Sequence, residues 1–216
     1  MLKLSKYEIA RQLRLYAVTD DRWVGSQTLM QQIEAALQGG ITMLQLREKK
    51  ISPEKFLTEA IAVKKLTDKY NIPLIINDNL SVACQSNASG LHIGQKDGSV
   101  AEARHVLGAN KILGVSAQNV EQAKAAEAAG ADYLGVGAVF TTSTKNDAEA
   151  LSPAILREIC QSVKIPVVAI GGITAANLPT LLNSGIAGVA VVSAIFAQEN
   201  ITAASRRLLE ILQPLH

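Results

Sequence analysis

The chain has 216 residues, with 21 lysines and arginines against 19 aspartates and glutamates, a net charge of +2. That near balance argues against a nucleic-acid or anionic-membrane binder working through bulk charge, and aromatic residues, at 4%, are few for a platform that stacks single-stranded bases. Apolar residues, at 48%, exclude general disorder and suffice for a full core, while two cysteines, Cys84 and Cys160, cannot make a disulfide scaffold and point to a cytoplasmic setting.

The length alone allows one large domain or two small ones. Lys3, Lys6, Glu8, Arg11 and Arg14 interrupt any apolar signal-peptide core, and a helical extension is predicted at about residues 1–13, with its helix at about 5–12. From there one unit recurs: a short apolar run, a polar or glycine tip, then an amphipathic stretch. The runs are RLYAVTD (14–20), TMLQLRE (42–48), PLIINDN (73–79), GLHIGQ (90–95), ILGVSA (112–117), YLGVG (133–137), PVVAIGG (166–172) and GVAVVS (188–193). They are too short to span a bilayer and have the near-continuous apolar character of parallel strands buried on both faces.

Helices are predicted between them. Ser26 is read as the cap of one running to Gly39. Ser52, Pro53 and Glu54 open another that runs to about Tyr70. Segments 81–87 and 100–107 read as shorter helices. Asn119 with Gln122 resembles a capping box, and Gly130 ends that helix. Ser152–Pro153 opens the next, Thr174 and Asn177 start one closed by Gly185, and the last runs from near Ala194 to about Leu212. Eight strand–helix units in roughly 200 residues sit at the compact end of the (β/α)8 barrel. A doubly wound open sheet is the alternative. No glycine-rich dinucleotide fingerprint follows the first strand and no linker divides the chain, which favours one α/β domain over 1–216, a single (β/α)8 TIM barrel.

In such a barrel, chemistry belongs at the C-terminal ends of the strands. Polar residues collect there: Thr19 and Asp20; Gln45, Arg47, Glu48 and Lys49; Asn77 and Asp78; His92, Gln95 and Asp97; Ser116; the TTSTK segment 141–145; Gly171 and Gly172; and Ser193. Gln45 and Arg47 are two apart, so both face one side of their strand, with Leu44 and Leu46 on the other. A buried Gln–Arg pair either closes an internal hydrogen-bond network or binds something polar, and the Arg47 fork suits phosphate oxygens. Asp78 and Asp97 follow neighbouring strands, and two converging carboxylates favour Mg²⁺. Taken singly, Asp78 reads equally as a helix cap, and Asp97, before Gly98, as a turn residue. The chain has no HExxH or CxxC motif and only three histidines, which argues against zinc. Thr142, Thr144 and Lys145 suit a phosphate or carboxylate, and Gly171, Gly172, Val192 and Ser193 fit the phosphate site that loops seven and eight often form. Two anion sites with a metal suggest joining two phosphorylated fragments, or displacing pyrophosphate.

The motifs LYAVTD, LQLREK, IINDN, LHIGQKD, GVSA, GVGAVFTTSTK, VAIGGI and GVAVVSAI stand in order over residues 15–195. Together they resemble thiamine phosphate synthases. That resemblance implies a (β/α)8 barrel that joins hydroxymethylpyrimidine diphosphate to hydroxyethylthiazole phosphate and releases pyrophosphate, with Mg²⁺ as cofactor. It implies that Gln45, Leu46, Arg47, Glu48, Lys49 and Asn77 hold the pyrimidine diphosphate, with contacts from Ser116 and Lys145. Asp78 and Asp97 are then the metal ligands. Thr142, Ser143 and Thr144, with Gly172, Val192 and Ser193, hold the thiazole phosphate. Arg47, Lys49, Ser116 and Lys145 carry the catalytic roles, in a dissociative reaction through a pyrimidine carbocation. Ala138 and Thr141 stand where the commoner form of the strand-six loop has prolines. Both partners are thus small molecules, with no nucleic acid and no membrane, and the sequence does not specify the oligomeric state.

Other readings remain. A thiazole tautomerase-like isomerase shares the barrel but should lack much of the diphosphate and metal set. A non-catalytic barrel binding thiamine phosphate would not need both aspartates and Lys145, and a sugar-phosphate epimerase would leave the TxTK loop unexplained. His92 is read as orienting the pocket or filling the barrel, His105 as a helix-surface residue and His216 as a terminus. Cys84 and Cys160 are read as helix packing, and Trp23 as a loop residue able to cover the pocket.

Overall fold

The computed structural model describes residues 4–141 and 151–215. Among them, eight parallel strands close into a barrel in chain order: β1 (Leu15–Val18), β2 (Met43–Leu46), β3 (Leu74–Asn77), β4 (Gly90–Ile93), β5 (Ile112–Ala117), β6 (Tyr133–Val136), β7 (Val167–Ile170) and β8 (Gly188–Val191). Pairing of Leu15, Tyr16 and Ala17 with Val189, Ala190 and Val191 closes the ring, so no sheet edge is exposed. Each run predicted as a strand is one; ILGVSA keeps its full bounds as β5 and the others are trimmed.

The pleat sorts alternate residues into two cores. Leu15, Ala17, Leu44, Leu46, Leu74 and Ile76 face outward and pack between sheet and helices. Tyr16, Val18, Met43, Ile75, Ile112, Tyr133, Val168 and Ala190 fill the interior. Helix α1 (Lys6–Gln12) is fixed by a reciprocal capping box between Ser5 and Glu8. It sends Ile9, with Leu13 just beyond its end, into the interior cluster, so the N-terminal end of the barrel is plugged with apolar side chains. Each such fully buried side chain contributes about 1.5–3 kcal/mol.

The outer layer is α2 (Leu29–Gln38), α3 (Pro53–Lys69), α4 (Leu80–Gln85), α5 (Val100–Leu107), α6 (Val120–Ala128), α7 (Pro153–Ser162), α8 (Ser193–Phe196) and α9 (Ile201–Ile211). Ser52 and Ser152 cap their helices with proline following, as their sequences predict. Three boundaries differ. Helix α2 starts after Thr28, not Ser26, because Thr28 and Gln31 return each other's bonds, whereas Leu29, three residues after Ser26, has nothing to return. The helix expected between Thr174 and Gly185 is a short 3₁₀ turn, Leu178–Leu181. There the hydroxyls of Thr180 and Ser184 bond the carbonyls of Asn177 and Leu181, competing for acceptors that a helix would use. The last helix is two helices, α8 and α9, because Asn200 takes an extended conformation and caps Ala203 N–H.

Candidate active site

At the C-terminal rim the same alternation sets which side chains enter the mouth. Gln45 and Arg47 turn inward. Leu46 is fully buried in the outer core, and Glu48 turns outward with Glu59 of α3 as its neighbour. The side chains of Leu46 and Glu48 therefore lie on the helix side of β2, away from the interior that Gln45 enters. A cavity of about 370 Å³ opens beside this rim, lined by Glu48, Lys49, Phe56, Asn77 and Asp78 among others. A second depression, about 380 Å³, lies near α1 at the other end of the barrel and has none of the strand-end residues.

Arg47 is held at both ends. Its backbone N–H donates to Thr19 Oγ1 at 2.9 Å, and its guanidinium NH1 donates to Asp20 Oδ2 at 3.3 Å. Asp20 is 4% exposed and also takes a two-pronged bond from Arg22, at 2.8 and 3.0 Å. Burial opposes charge on Asp20, but the hydrogen bonds from Arg22 and the charges of Arg22 and Arg47 outweigh it and hold the carboxyl below its ordinary range. Two guanidinium groups thus meet on one buried carboxylate at the mouth.

On the neighbouring strand, Lys49 Nζ lies 2.5 Å from Asp78 Oδ2, and Asn77 Nδ2 donates to the same oxygen at 2.6 Å. Asp78 takes a positive φ of 61° and donates its N–H to His92 O. Asp97, on the exposed turn after β4, accepts from Gly94 N–H at 2.9 Å. Since Gly94 is two residues beyond His92, both aspartates sit on the β3–β4 rim, each oriented through its Oδ2. Among the described residues no group of three or more His, Cys, Asp or Glu comes together as a metal site.

Inside the mouth, His92 Nε2 lies 3.0 Å from Ser116 Oγ and His92 Nδ1 lies 3.0 Å from Tyr133 Oη. Gln45 Nε2 donates to Tyr16 Oη at 2.7 Å. His92 thus joins Ser116 to Tyr133 inside the mouth.

The opposite side of the mouth is made of backbone. Gly171 and Gly172 have φ of 99° and 66°, a left-handed pair that side chains disfavour. Val139 and Phe140 N–H bond Ile170 and Gly171 carbonyls, so the strand-six loop runs along the end of β7. Ser193 opens α8 directly after Val192, which reaches the interior cluster. The segment with Thr142, Ser143, Thr144 and Lys145 lies outside the described residues, as does His216.

Four participants escape a reading by motif. Asp20 looked like a strand end; its role shows only when Arg47 arrives from β2. Tyr16 and Tyr133 looked like strand apolars, although their inward parity with Val18 and Gly135 was a usable signal. Glu59 is nearly two turns into α3 and meets Glu48 only in the fold. Burial and the nearby charges of Glu59 and Asp21 push Glu48 up to about 7, and burial raises Glu59 as well. Both ionised, two carboxylates would offer only acceptors to each other, so the pair favours keeping one proton; Glu59 Oε1 is buried with no other hydrogen-bond partner.

The family model described as thiamine monophosphate synthase matches residues 15–195. The chain is 52% identical to a thiamine-phosphate synthase of Ruminiclostridium cellulolyticum, over 91% of this chain and 94% of that one. It is 46% identical to a protein of the same name from Clostridium acetobutylicum, over 93% and 95%. The fold superposes on a thiamine phosphate pyrophosphorylase from Pyrococcus furiosus with a TM-score of 0.88 at 35% identity, covering 96% of this chain and 98% of that one.

Proposed function

Because the chain belongs to the thiamine monophosphate synthase family, we propose that the mouth described above is where it makes thiamine phosphate. Its activity is the transferase reaction for which its relatives are named. The pyrimidine diphosphate lies over β2–β5 and the thiazole phosphate over β6–β8. The observation that carries this placement is the pairing of a cationic rim with a glycine rim across one opening: Arg47 and Lys49 on one side, Gly171–Gly172 and Ser193 on the other.

Each residue has a task in that reading. Arg47, steadied by Asp20, meets the diphosphate as a fixed fork. Lys49 reaches the same oxygens from its place on Asp78. As the C–O bond to pyrophosphate breaks, negative charge gathers on the leaving group, so these cations stabilise the transition state more than the ground state. The pyrimidine left behind is a carbocation, and the thiazole nitrogen supplies the electron pair that forms the new C–N bond. No side-chain nucleophile is needed; holding the two substrates in contact supplies the rest. Backbone N–H groups at Gly172, Val192 and Ser193 hold the thiazole phosphate, with Thr142, Ser143 and Thr144, and Ser116 and Lys145 contact the pyrimidine diphosphate.

Asp78 and Asp97 fit Mg²⁺. They are hard oxygen donors on one rim, and Mg²⁺ commonly takes one or two carboxylates and completes its shell with phosphate and water. Bound there, Mg²⁺ supplies positive charge against the diphosphate oxygens. No helix among the described residues is long and apolar enough to cross a membrane.

Incubation with both substrates and Mg²⁺, followed by chromatography, is expected to give equal amounts of thiamine phosphate and pyrophosphate. A folded protein that yields neither would overturn the proposal. Lys145→Ala is expected to lower kcat more than it raises the KM for thiazole phosphate; an equal loss in both would reduce Lys145 to a phosphate anchor.

A further inference from the structure

Five polar side chains from five strands are joined end to end across the upper barrel interior. Gln45 Nε2 donates to Tyr16 Oη at 2.7 Å, and the Tyr16 and Tyr133 hydroxyls lie 2.9 Å apart. Tyr133 Oη is 3.0 Å from His92 Nδ1, and His92 Nε2 is 3.0 Å from Ser116 Oγ. Both tyrosines are 1% exposed or less. Their rings meet edge to face at 6.0 Å, and the His92 ring lies 5.5 Å from that of Tyr133. Inward positions on β5 and β6 are emptied for these rings. A Cβ on Gly114 would collide with the Tyr133 phenol, and one on Gly135 would come within 3.0 Å of His92 Cε1.

Each hydroxyl has one proton to give, so the row has a direction. Tyr16 accepts from Gln45 and therefore donates to Tyr133. Tyr133 then donates to His92 Nδ1. A neutral imidazole that accepts at Nδ1 carries its proton on Nε2, which points at Ser116 Oγ. Ser116 accepts there and keeps its own proton for the mouth. At the other end, Gln45 spends one amide N–H inward on Tyr16, which fixes the orientation of its amide and keeps its carbonyl oxygen for the mouth. Burial pushes both phenols above their ordinary range, so both keep their protons and can pass the polarity on.

We propose that Tyr16 and Tyr133 are positioning residues that carry one hydrogen-bond polarity from Gln45 to Ser116, fixing His92 as the Nε2–H tautomer. The mouth then offers an acceptor at Gln45 and a donor at Ser116. An aminopyrimidine diphosphate needs that pair, since its exocyclic amine donates while its ring nitrogens and phosphate oxygens accept. The reversed row would present an amide N–H to the amine and a lone pair to the acceptors. This inference rests on placing the pyrimidine diphosphate over β2–β5.

The chain has three histidines, so ¹⁵N-histidine labelling gives a spectrum simple enough to assign by a His92→Gln control. Multiple-bond ¹H–¹⁵N correlation on the substrate-free protein is expected to show His92 Nε2 protonated and Nδ1 unprotonated. A protonated Nδ1 would overturn the proposal. Tyr133→Phe is expected to mix the two tautomers and to lower kcat/KM for the pyrimidine diphosphate about tenfold, with the KM for thiazole phosphate within about twofold of wild type. Tyr16→Phe, the second variant should Tyr133→Phe fold poorly, is expected to do the same. If both variants lose thermal stability while tautomer and kinetics stay at wild-type values, the row is packing only and the proposal fails. The nitrogen shifts are read without substrate, so the tautomer stands or falls separately from the activity.

Discussion

In the proposed placement, the two halves of the barrel mouth would hold anions by different means. Over β1–β4 the work falls to charged side chains with partners: Arg47 and Arg22 on Asp20, Lys49 on Asp78. Over β7 and β8, among the described residues, it falls to glycine and helix-start backbone, with Gly171 and Gly172 in left-handed conformations. Side-chain cations are strong but need counter-charges to stay placed, and they respond to salt and pH. Backbone N–H groups are weaker individually, but the fold places them and they do not titrate. A pyrophosphate that must leave suits the first kind of site, because its charge grows during the reaction. A phosphate that is only a handle suits the second.

The sharpest way to break this comparison is Arg47→Ala. Removing a fixed fork from the developing charge is expected to cost roughly 10²–10³ in kcat/KM for the pyrimidine diphosphate, on the scale of a lost transition-state donor. The KM for thiazole phosphate should stay within about threefold. Steady-state kinetics with each substrate varied in turn would show it. Equal losses for both substrates would mean that the halves are one site. Next in size, Asp78→Ala or Asp97→Ala is expected to raise the Mg²⁺ concentration for half-maximal rate by about 10- to 100-fold, comparable to other lost metal-site groups. An unchanged Mg²⁺ titration would remove that carboxylate from the metal.

How far this division was legible differs between the halves for a physical reason. Charged residues announce themselves by type, and strand alternation places Gln45 and Arg47 inward without a structure. Their restraints do not announce themselves: Asp20 binds Arg47 across 27 positions, and Glu59 meets Glu48 from a helix turn. Fold class was legible because every strand carries its own apolar run. The 3₁₀ turn at Leu178–Leu181 and the break before Asn200 were not, because side-chain hydroxyls and an amide there compete with helix bonds. In the glycine half, VAIGG showed a turn. What the turn makes room for, the strand-six loop at Phe140 and Thr141, is a contact between segments distant in sequence.

That contact gives the third prediction. At Gly172 a Cβ would come 2.8 Å from Phe140 Cβ and 2.9 Å from its carbonyl oxygen, and φ is already left-handed at 66°. Gly172→Ala is therefore expected to displace residues 138–141, raising the KM for thiazole phosphate about tenfold and costing about 1–2 kcal/mol in stability. The KM for pyrimidine diphosphate should hardly move. A tenfold rise for that substrate instead would reverse the assignment of the two halves.

The smallest effect separates the halves by pH. Glu48, pushed up to about 7, retains a proton in the fold that the unfolded chain releases near its ordinary value of 4.5. A raised carboxyl pKa stabilises the fold fully below the unfolded value and loses that contribution as pH rises through the folded one. Stability from this pair should thus decline between about pH 4.5 and 7. Glu59→Gln places an amide donor where the carboxyl stood, so Glu48 can ionise without a like charge beside it. The variant is expected to flatten the decline and to raise Tm near pH 8 by about 2–4 °C, equivalent to ~1 kcal/mol after allowing for the pair's partial exposure. Scanning calorimetry at several pH values would decide it, with Gly172→Ala as the internal reference. That variant should lie below wild type by a constant amount, because no titrating group has been moved. Parallel curves for Glu59→Gln and wild type would show that the two carboxyls do not share a proton, and the pH response of the charged half would then have to come from Asp20 and its arginines, whose lowered carboxyl range predicts loss of stability at acid pH instead.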